Sequence, residues 1–514
     1  MQNFQAHFPT LTGSTIQGWL VSALELGAWG GALFNGYLAD KISRKYSMLV
    51  AVIVFTLGTC LQAAAQNPAM LFAGRVIGGI GIGMFSMVIP LYQAEIAPPQ
   101  LRGSLVSLQQ LSITIGTTIA FWLDYGLHFV GGSNCDPAGV TGTFDPYTAH
   151  GHTCLAEKSV SWRVPLALQL IPAWILFFGM FFLPFSPRWL MMKHRDEDCI
   201  NALTKLRRLA RDDPLLTAEY LEIKAAVLFD EETEAEIVGT AGRLGPWKML
   251  FSSSMLKRLN IGCWIMIFQQ FTGINAVLYY APQIFATFGF SSVTTDLLAT
   301  GVTGCFQVVF TLPAVLFLDN FGRKTFLIAG AIGMGICHIV VAAVDGTNEN
   351  SAGVWIGSTT SGWVSIAFIW LFAVNFAYSW GPVAWVLTQE IFPNSMRSRG
   401  VSIVASTNWM FNFIIGLTTR DMLNSMRFGT YIFFACFCIG GGLFVWFMVP
   451  ETKDKTLEEL DIYFGGDKDS IAVADRERMA RINNRLGITD ADTPDDSMRA
   501  VDLDQHDHDV SEKY

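Results

Sequence analysis

Charged residues are scarce in this sequence, and their scarcity excludes a string of soluble domains. Only 15% of the 514 residues are charged, against about 25% in a typical soluble protein. Hydrophobic residues make up 51%, and several runs of about 20 residues carry no charge, which is enough to span ~30 Å of hydrocarbon as a helix. The composition therefore predicts an all-α polytopic membrane protein that lies in a lipid bilayer.

Signatures of catalysis and of nucleic-acid binding are missing as well. The sequence contains no nucleophile–base arrangement and no metal-catalysis motif, so we expect neither an enzyme nor a cofactor. The net charge of −9 is concentrated in polar segments and does not favour binding to nucleic acid. The first ~15 residues lack the charged, apolar and small-residue regions of a signal peptide.

Eleven apolar runs predict eleven transmembrane helices, because backbone groups in lipid must be hydrogen-bonded within their own segment. The runs lie near residues 16–38, 48–66, 70–93, 105–126, 162–183, 259–286, 297–318, 325–344, 363–388, 401–418 and 429–449. Of the 34 Lys and Arg residues, 29 fall on one side of these spans, four fall on the other, and Arg75 falls within a span. Since basic residues favour the cytoplasm, we expect a cytoplasmic C-terminus and an external N-terminus.

Two long polar segments divide the chain. The predicted organisation is an N-terminal bundle of five spans (1–184), a cytoplasmic helical linker (185–257), a C-terminal bundle of six spans (258–449) and a cytoplasmic tail (450–514). The acidic composition of the end of the tail is typical of disorder.

Two motifs occur twice, in the same order. Asp40, Arg44 and Lys45 match Asp319, Arg323 and Lys324, and Glu95, Pro98 and Arg102 match Glu390, Pro393 and Arg397. The duplication predicts two homologous halves related by a parallel repeat. Two spans precede Asp319 but only one precedes Asp40, so we expect that a first helix of a six-plus-six plan is missing from this chain.

The duplicated charges predict a latch at the cytoplasmic ends of the spans, in which each Glu and Arg pairs with a neighbouring helix. The predicted members are Asp40, Arg44, Glu95, Arg102, Asp319, Arg323, Glu390 and Arg397. The alternative interpretation is ordinary enrichment of basic residues on the inner side.

Several motifs, taken in order, resemble the sugar porter family of the major facilitator superfamily, and the form of residues 184–188 resembles its fungal members. They are Gly74-Arg75 with Gly78-Gly79, Gln269-Gln270 with Gly273 and Asn275, Tyr279-Tyr280, Trp380-Gly381-Pro382 with Trp385, Asn408-Trp409, and Pro450-Glu451-Thr452-Lys453. The family usually has Glu where this chain has Phe185 and Gly where it has Ser43. The resemblance implies a major facilitator fold of two helix bundles in the plasma membrane. It also implies transport of a monosaccharide, a hexose or pentose, by a monomer through alternating access, facilitated or coupled to a proton.

Polar side chains inside the spans are candidates for the sugar site. Amides donate and accept hydrogen bonds, and an indole offers a flat apolar face, so both suit a sugar ring. The predicted substrate-binding residues are Gln110, Gln269, Gln270, Asn275, Tyr280, Gln307, Trp385 and Asn408. The alternative interpretation is that such residues join helices. Gly273, Pro282 and Gly381-Pro382 predict broken helices beside the site, where a static kink is the alternative.

Arg75 lies within an apolar span and needs a partner. The resemblance implies that the equivalent Arg neighbours an acidic residue of the first helix in proton-coupled members. Because that helix is expected to be missing, we predict that Arg75 and the glycines Gly78, Gly79 and Gly83 line an exposed groove. Proton coupling is then expected to be weak at most. The same glycines are typical of close helix packing and not of a nucleotide-binding loop.

Cys135 and Cys154 lie on the one large outer loop, where a disulfide would persist. Free thiols and a metal site with neighbouring His residues are the alternatives. Two other functions stay open on the sequence: a sugar sensor of the same fold that signals through its tail, and a truncated chain that does not transport.

Overall fold

The computed structural model describes residues 2–98, 102–128, 159–241, 250–251, 253–288, 293–348, 356–392, 396–453, 464 and 470–488. Every regular element in these ranges is a helix.

The chain forms an N-terminal group of helices, a linker group, a C-terminal group and a helix in the tail. The N-terminal group is α1 (Gln2–His7), a 3₁₀ turn (Pro9–Leu11), α2 (Ser14–Ile42), α3 (Arg44–Ala63), α4 (Pro68–Ile96), α5 (Arg102–His128), α6 (Val160–Leu168) and α7 (Leu170–Phe182). The linker group is α8 (Pro187–Met192), α9 (Asp196–Arg207) and α10 (Pro214–Ala241). The C-terminal group is α11 (Ser253–Phe271), α12 (Ile274–Thr287), α13 (Val293–Phe321), α14 (Arg323–Asn348), α15 (Thr359–Tyr378), α16 (Trp380–Glu390), α17 (Arg397–Met426) and α18 (Gly429–Met448), and the tail helix is α19 (Ser470–Leu486).

Nine stretches of the described residues are long and apolar enough to cross a membrane, and three of these consist of two consecutive helices. The helices α2 and α5, which were also expected as spans, have 29 and 27 residues and pack beside them. At 1.5 Å per residue both are longer than ~30 Å. The multi-span helical architecture is as predicted, and the count of eleven stays a prediction.

Helix α2 packs closely on α4 through small residues. A Cβ atom at Gly79 would overlap the carbonyl oxygen of Leu24, and one at Gly83 would overlap that of Ala28. Gly78 lies equally close to Gly58 of α3. The prediction that these glycines line an exposed groove is wrong, because α2 and α3 cover them. Their function in the fold is to let backbones approach.

The two halves meet along two helix pairs, α2 with α17 and α5 with α13. Glycines bring both pairs together: a Cβ at Gly18 would lie 2.6 Å from the carbonyl oxygen of Leu417, and one at Gly304 would lie 2.8 Å from the hydroxyl of Thr118. The space between the halves is framed by these two contacts.

The linker helices share a small apolar core, which includes the buried side chains of Trp189, Cys199 and Leu203. The tail helix α19 packs on α10 through Ile482, which contacts Ala225 and Phe229. In the same interface Arg478 donates from Nη1 to the hydroxyl of Thr233 at 2.7 Å.

Candidate functional site

A cavity of about 370 Å³ lies between the two halves, a volume within the range of small-molecule sites. Helices α4 and α5 contribute its wall on one side, and α11, α12, α13, α15, α16 and α17 contribute the rest. Seven of the eight predicted site residues line it: Gln110, Gln269, Gln270, Asn275, Gln307, Trp385 and Asn408. The described lining also includes Gln109, Trp409, Asn412 and Tyr279, and it contains no Asp, Glu, Lys, Arg or His.

Tyr280, the eighth predicted residue, lies away from the cavity. Its hydroxyl donates to the carbonyl oxygen of Gly416 at 2.7 Å, and its side chain is buried. The preceding Tyr279 lines the cavity instead. Successive side chains of a helix point about 100° apart, so only one of the pair faces the cavity, and Tyr280 moreover has a non-helical backbone (φ −118°, ψ 16°).

Gln269 and Asn408 form a hydrogen-bonded bridge between broken helices. The Gln269 amide donates to the carbonyl oxygen of Trp380 at 2.7 Å, and Asn408 donates to Oε1 of Gln269 at 2.6 Å. Both ends of the Gln269 side chain therefore have protein partners. The two hydrogen bonds of Gln269 agree with the interpretation that this residue joins helices. The residue also lines the cavity.

Gln270 and Asn275 are bonded to each other and keep groups free for a ligand. Nδ2 of Asn275 donates to Oε1 of Gln270 at 2.6 Å. This bond leaves the Gln270 amide N–H groups and the Asn275 carbonyl oxygen without a hydrogen bond to the described residues. A donor and an acceptor thus stand side by side in the cavity wall, which is the arrangement that a hydroxyl group matches.

Two helices of the C-terminal group are broken beside the cavity, at the positions that the sequence predicts. Between α11 and α12 Gly273 has φ +88°, which favours glycine, and a Cβ there would lie 2.9 Å from the ring of Phe434. Between α15 and α16 Ser379 has φ −119° and ψ −92°. The breaks place Asn275 and Trp385 on short helical segments that end at the cavity.

A charge network lies at the end of the N-terminal group. Arg44 pairs with Asp40 and with Glu95, both at 2.9 Å. Ser186 donates to the other carboxylate oxygen of Glu95 at 2.5 Å. The network joins the ends of α2, α3 and α4 to the segment after α7.

The C-terminal group repeats this network. Arg323 pairs with Glu390 at 2.8 Å, and Thr452 donates to Glu390 at 2.6 Å. Thr452 therefore occupies the place of Ser186, which extends the internal repeat to a third segment. The side chains of Arg102, Asp319 and Arg397, the other predicted members of the latch, lie outside the described residues, as do Cys135 and Cys154.

The two halves differ in the group that caps the N-terminus of a helix in each network. That helix is α3 in the first half and α14 in the second. Glu451 accepts hydrogen bonds from the backbone N–H groups of Arg323 and Lys324 at 2.9 and 3.0 Å. In the first half Phe185 stands in place of Glu451, and the hydroxyl of Ser43 accepts from the N–H of Tyr46 at 3.2 Å. Each half therefore caps its helix with a different chemical group.

Arg75 has an acidic neighbour that the sequence analysis missed. Glu25 of α2 is buried and interacts electrostatically with Arg75 of α4. The side chain of Tyr279 also interacts with the Glu25 carboxylate, and its hydroxyl is bonded to Asn412 at 3.1 Å. The need of Arg75 for a partner is met by an acid of α2, and not by one of the first helix, to which the family resemblance assigns it. The signal was visible, since an acidic residue inside an apolar run marks a functional site by default.

Comparisons with known proteins agree with this geometry. A family model described as sugar (and other) transporter matches residues 2–464. The chain is 32% identical to a probable quinate permease of Aspergillus fumigatus, over 87% of this chain and 78% of the relative. It is 33% identical to a quinate permease of Neurospora terricola, over 87% and 80% of the two chains. Among solved structures, the proton:xylose symporter XylE from E. coli bound to 6-bromo-6-deoxy-D-glucose is similar with a TM-score of 0.69 and 29% identity, over 89% of this chain and 90% of that one.

Proposed function

We propose that this chain, which belongs to the sugar (and other) transporter family and has the fold of the major facilitator superfamily, carries a monosaccharide coupled to a proton. The substrate is a hexose or pentose, and the mechanism is alternating access by a monomer in the plasma membrane with its C-terminus in the cytoplasm. The observation that carries the proposal is the uncharged cavity of amides and indoles between the two halves. The relatives are permeases and transporters, and no enzymatic step is proposed.

The cavity favours a neutral polyol. A sugar presents hydroxyl groups, each of which donates and accepts, and the free groups of Gln270 and Asn275 supply the complementary acceptor and donor. Trp385 supplies a flat ring face for the C–H side of a sugar. These groups make a site that binds by hydrogen bonding and apolar contact alone.

Quinate is the second candidate substrate, because two of the relatives are named for it. Quinate carries a carboxylate, and a buried carboxylate needs a cation or several strong donors. Among the described lining residues there is no Lys, Arg or His, and Arg75, which interacts electrostatically with Glu25, is not part of that lining. The cavity chemistry therefore supports a monosaccharide over quinate.

Glu25 supports proton coupling. Its carboxylate faces Arg75 from α4 and Tyr279 from α12, and its Oε2 atom has no hydrogen-bond partner among the residues that the structure describes. The charged groups of Arg420 and Asp421 on α17 interact electrostatically with Tyr280. Glu25 interacts electrostatically with the same tyrosine. A proton on Glu25 would remove its charge and alter its bond with Tyr279, which lines the cavity. The protonation state of Glu25 is thereby linked to the position of Tyr279 in the wall of the proposed sugar site.

The inner networks support alternating access. Each ties helix ends to the segment after the last span of its half through one Arg–Glu pair. Breaking these contacts would loosen the inner helix ends within each half while α2–α17 and α5–α13 stay packed. The broken helices beside the cavity supply the smaller movements that close it around a substrate.

The test is uptake of labelled glucose, xylose and quinate by cells that lack their own transporters. We expect saturable uptake of at least one monosaccharide, inhibited by a protonophore, and little uptake of quinate. Uptake of quinate alone would overturn the substrate proposal. Sugar binding without uptake would favour the sensor, and neither binding nor uptake would favour a chain that does not transport.

The coupling is tested separately with Glu25→Gln. This variant keeps the shape of the side chain and removes the titratable group. We expect sugar exchange across the membrane to persist in Glu25→Gln while accumulation against a gradient and stimulation by external acid are lost. Acid-stimulated accumulation by this variant at the wild-type level would contradict the proposed role of Glu25.

A further inference from the structure

A buried histidine holds the break between α11 and α12. His338 lies within α14, and its side chain is 3% exposed. Its Nε2 atom lies 2.9 Å from the carbonyl oxygen of Thr272. Because a carbonyl only accepts, Nε2 carries the proton in this bond and donates it.

The Thr272 carbonyl is available because the helix breaks there. The next N–H groups bond elsewhere: Gly273 donates to Gln270 and Val277 donates to Gly273. A carbonyl left out of the helical ladder inside a membrane protein costs free energy unless another donor reaches it. His338 of α14 supplies the short bond at 2.9 Å, and the thiol of Cys438 on α18 is a weak second donor to the same carbonyl at 4.0 Å.

Aromatic rings enclose the break on the side away from the cavity. The His338 ring lies 4.4 Å from the ring of Phe372 and 5.7 Å from that of Phe434. The Phe434 ring also fills the space that a Cβ at Gly273 would need. Helices α14, α15 and α18 therefore hold this end of the broken helix together.

A second departure from helical geometry lies about two turns after the break. Tyr280 departs from helical geometry, and Pro282 follows it within α12. The short segment between the break and Tyr280 carries Ile274, Asn275, Leu278 and Tyr279, all of which line the cavity. The end of the segment at Thr272 is fixed to packed helices, whereas its cavity face is held by side-chain hydrogen bonds, between Asn275 and Gln270 and between Tyr279 and Asn412.

We infer that His338 is a positioning residue that fixes the hinge at Thr272–Gly273, so that the segment 274–279 moves as a unit when the cavity closes on its substrate. The inference rests on the proposed function, in which that cavity is the substrate site. His338 touches no cavity group itself. It acts through its hydrogen bond to the Thr272 carbonyl. The position of Thr272 in turn sets the positions of Asn275 and Tyr279 on the segment that follows.

The test compares three variants in full-length protein. His338→Phe fills the site without a donor, His338→Gln restores an N–H donor, and Phe372→Leu loosens the ring cluster but keeps the His338 bond. We expect the maximal rate of monosaccharide uptake to fall about tenfold in His338→Phe, which corresponds to one lost hydrogen bond. The sugar concentration at half-maximal rate is expected to change less, and His338→Gln is expected to recover most of the rate. Phe372→Leu is expected to stay close to wild type.

A second readout does not depend on transport. Hydrogen exchange of the amides in residues 272–279 is expected to speed up in His338→Phe and to stay near the wild-type rate in His338→Gln and Phe372→Leu. Unchanged exchange in His338→Phe, or equal acceleration in Phe372→Leu, would overturn the inference. Absence of uptake by the wild-type chain would instead contradict the proposed function, and the exchange comparison would still decide the role of His338.

Discussion

Asn275 donates a hydrogen bond to Gln270 across the helix break that separates them, at 2.6 Å. The bond orients both side chains and leaves an acceptor on one and a donor on the other facing the cavity. The break therefore brings together, in the cavity wall, two amide side chains that lie five positions apart.

Loss of either amide is expected to weaken sugar binding. In Gln270→Ala and Asn275→Ala, the sugar concentration at half-maximal uptake should rise about ten- to hundredfold, since each removes one or two hydrogen bonds of ~1–1.5 kcal/mol and frees its partner. The measurement is concentration-dependent uptake normalised to the protein in the membrane. A change of less than twofold in both variants would contradict the assignment.

The neighbouring tyrosines provide a matched comparison. Tyr279→Phe removes a hydroxyl that contacts Asn412 and Glu25 at the cavity wall and is expected to alter uptake and its pH dependence. Tyr280→Phe removes only the bond to the Gly416 carbonyl. It is expected to cost about 1 kcal/mol of stability with half-maximal uptake at the wild-type sugar concentration. The reverse pattern would place Tyr280 at the site after all.

The glycines of α4 are expected to be intolerant of even a methyl group where α2 covers them. Gly79→Ala forces α2 away, because its Cβ would overlap the Leu24 carbonyl, and overpacking of this kind costs ~1–3 kcal/mol. Gly116→Ala on α5 meets nothing within 4 Å and is the control. The measurement is the thermal unfolding midpoint in detergent, and equal midpoints for the two variants would contradict the close packing.

Neutralising either inner glutamate is expected to shift the balance between inward- and outward-facing states. Glu95→Gln and Glu390→Gln each weaken a charge-assisted hydrogen bond and are expected to slow uptake about tenfold with the protein still in the membrane. Accessibility of the cavity from the inner side, measured with a small thiol reagent and a single introduced cysteine, should increase. Normal uptake in both variants would count against the latch.

Cys199 in the linker is expected to resist alkylation. Burial raises the pKa of its thiol to about 12, and the charges of Asp196 and Glu219 act in the same direction. Since the thiolate is the reactive form, little of it reacts near neutral pH. A cysteine introduced at Glu197, whose side chain is 75% exposed, is the control and should react rapidly. Equal rates of maleimide labelling would show that the linker core is open.

The sequence predicts much of the cavity because polar side chains within apolar spans have few other places to go. Gln110, Gln270 and Trp385 follow from this argument together with the family resemblance, and all three line the cavity. The choice between Tyr279 and Tyr280 depends on helix rotation and on a local distortion, which residue types do not encode. Gln269 was correctly placed at the cavity, but its partners belong to a break and to α17, so its bridging function needs the fold.

Glu25 shows the opposite case, a residue that is visible in the sequence and was passed over. The family resemblance assigns the acidic partner of Arg75 to the first helix, whereas in this structure the acid lies on α2. The position of the acid relative to Arg75 follows from the glycine-mediated packing of α2 on α4. That packing is a matter of pairing between helices and cannot be read from either helix alone.

The different caps of the two halves have a consequence for how the halves diverged. A Cβ at Gly322, where φ is +84°, would lie 2.7 Å from a carboxylate oxygen of Glu451. A side chain at this corner and the capping carboxylate therefore exclude each other. In the first half both positions differ, with Ser43 at φ +98° and Phe185 packed beside Tyr46 and beneath Lys45. The two forms can therefore be interconverted one substitution at a time only through an intermediate that has glycine at the corner and no capping carboxylate.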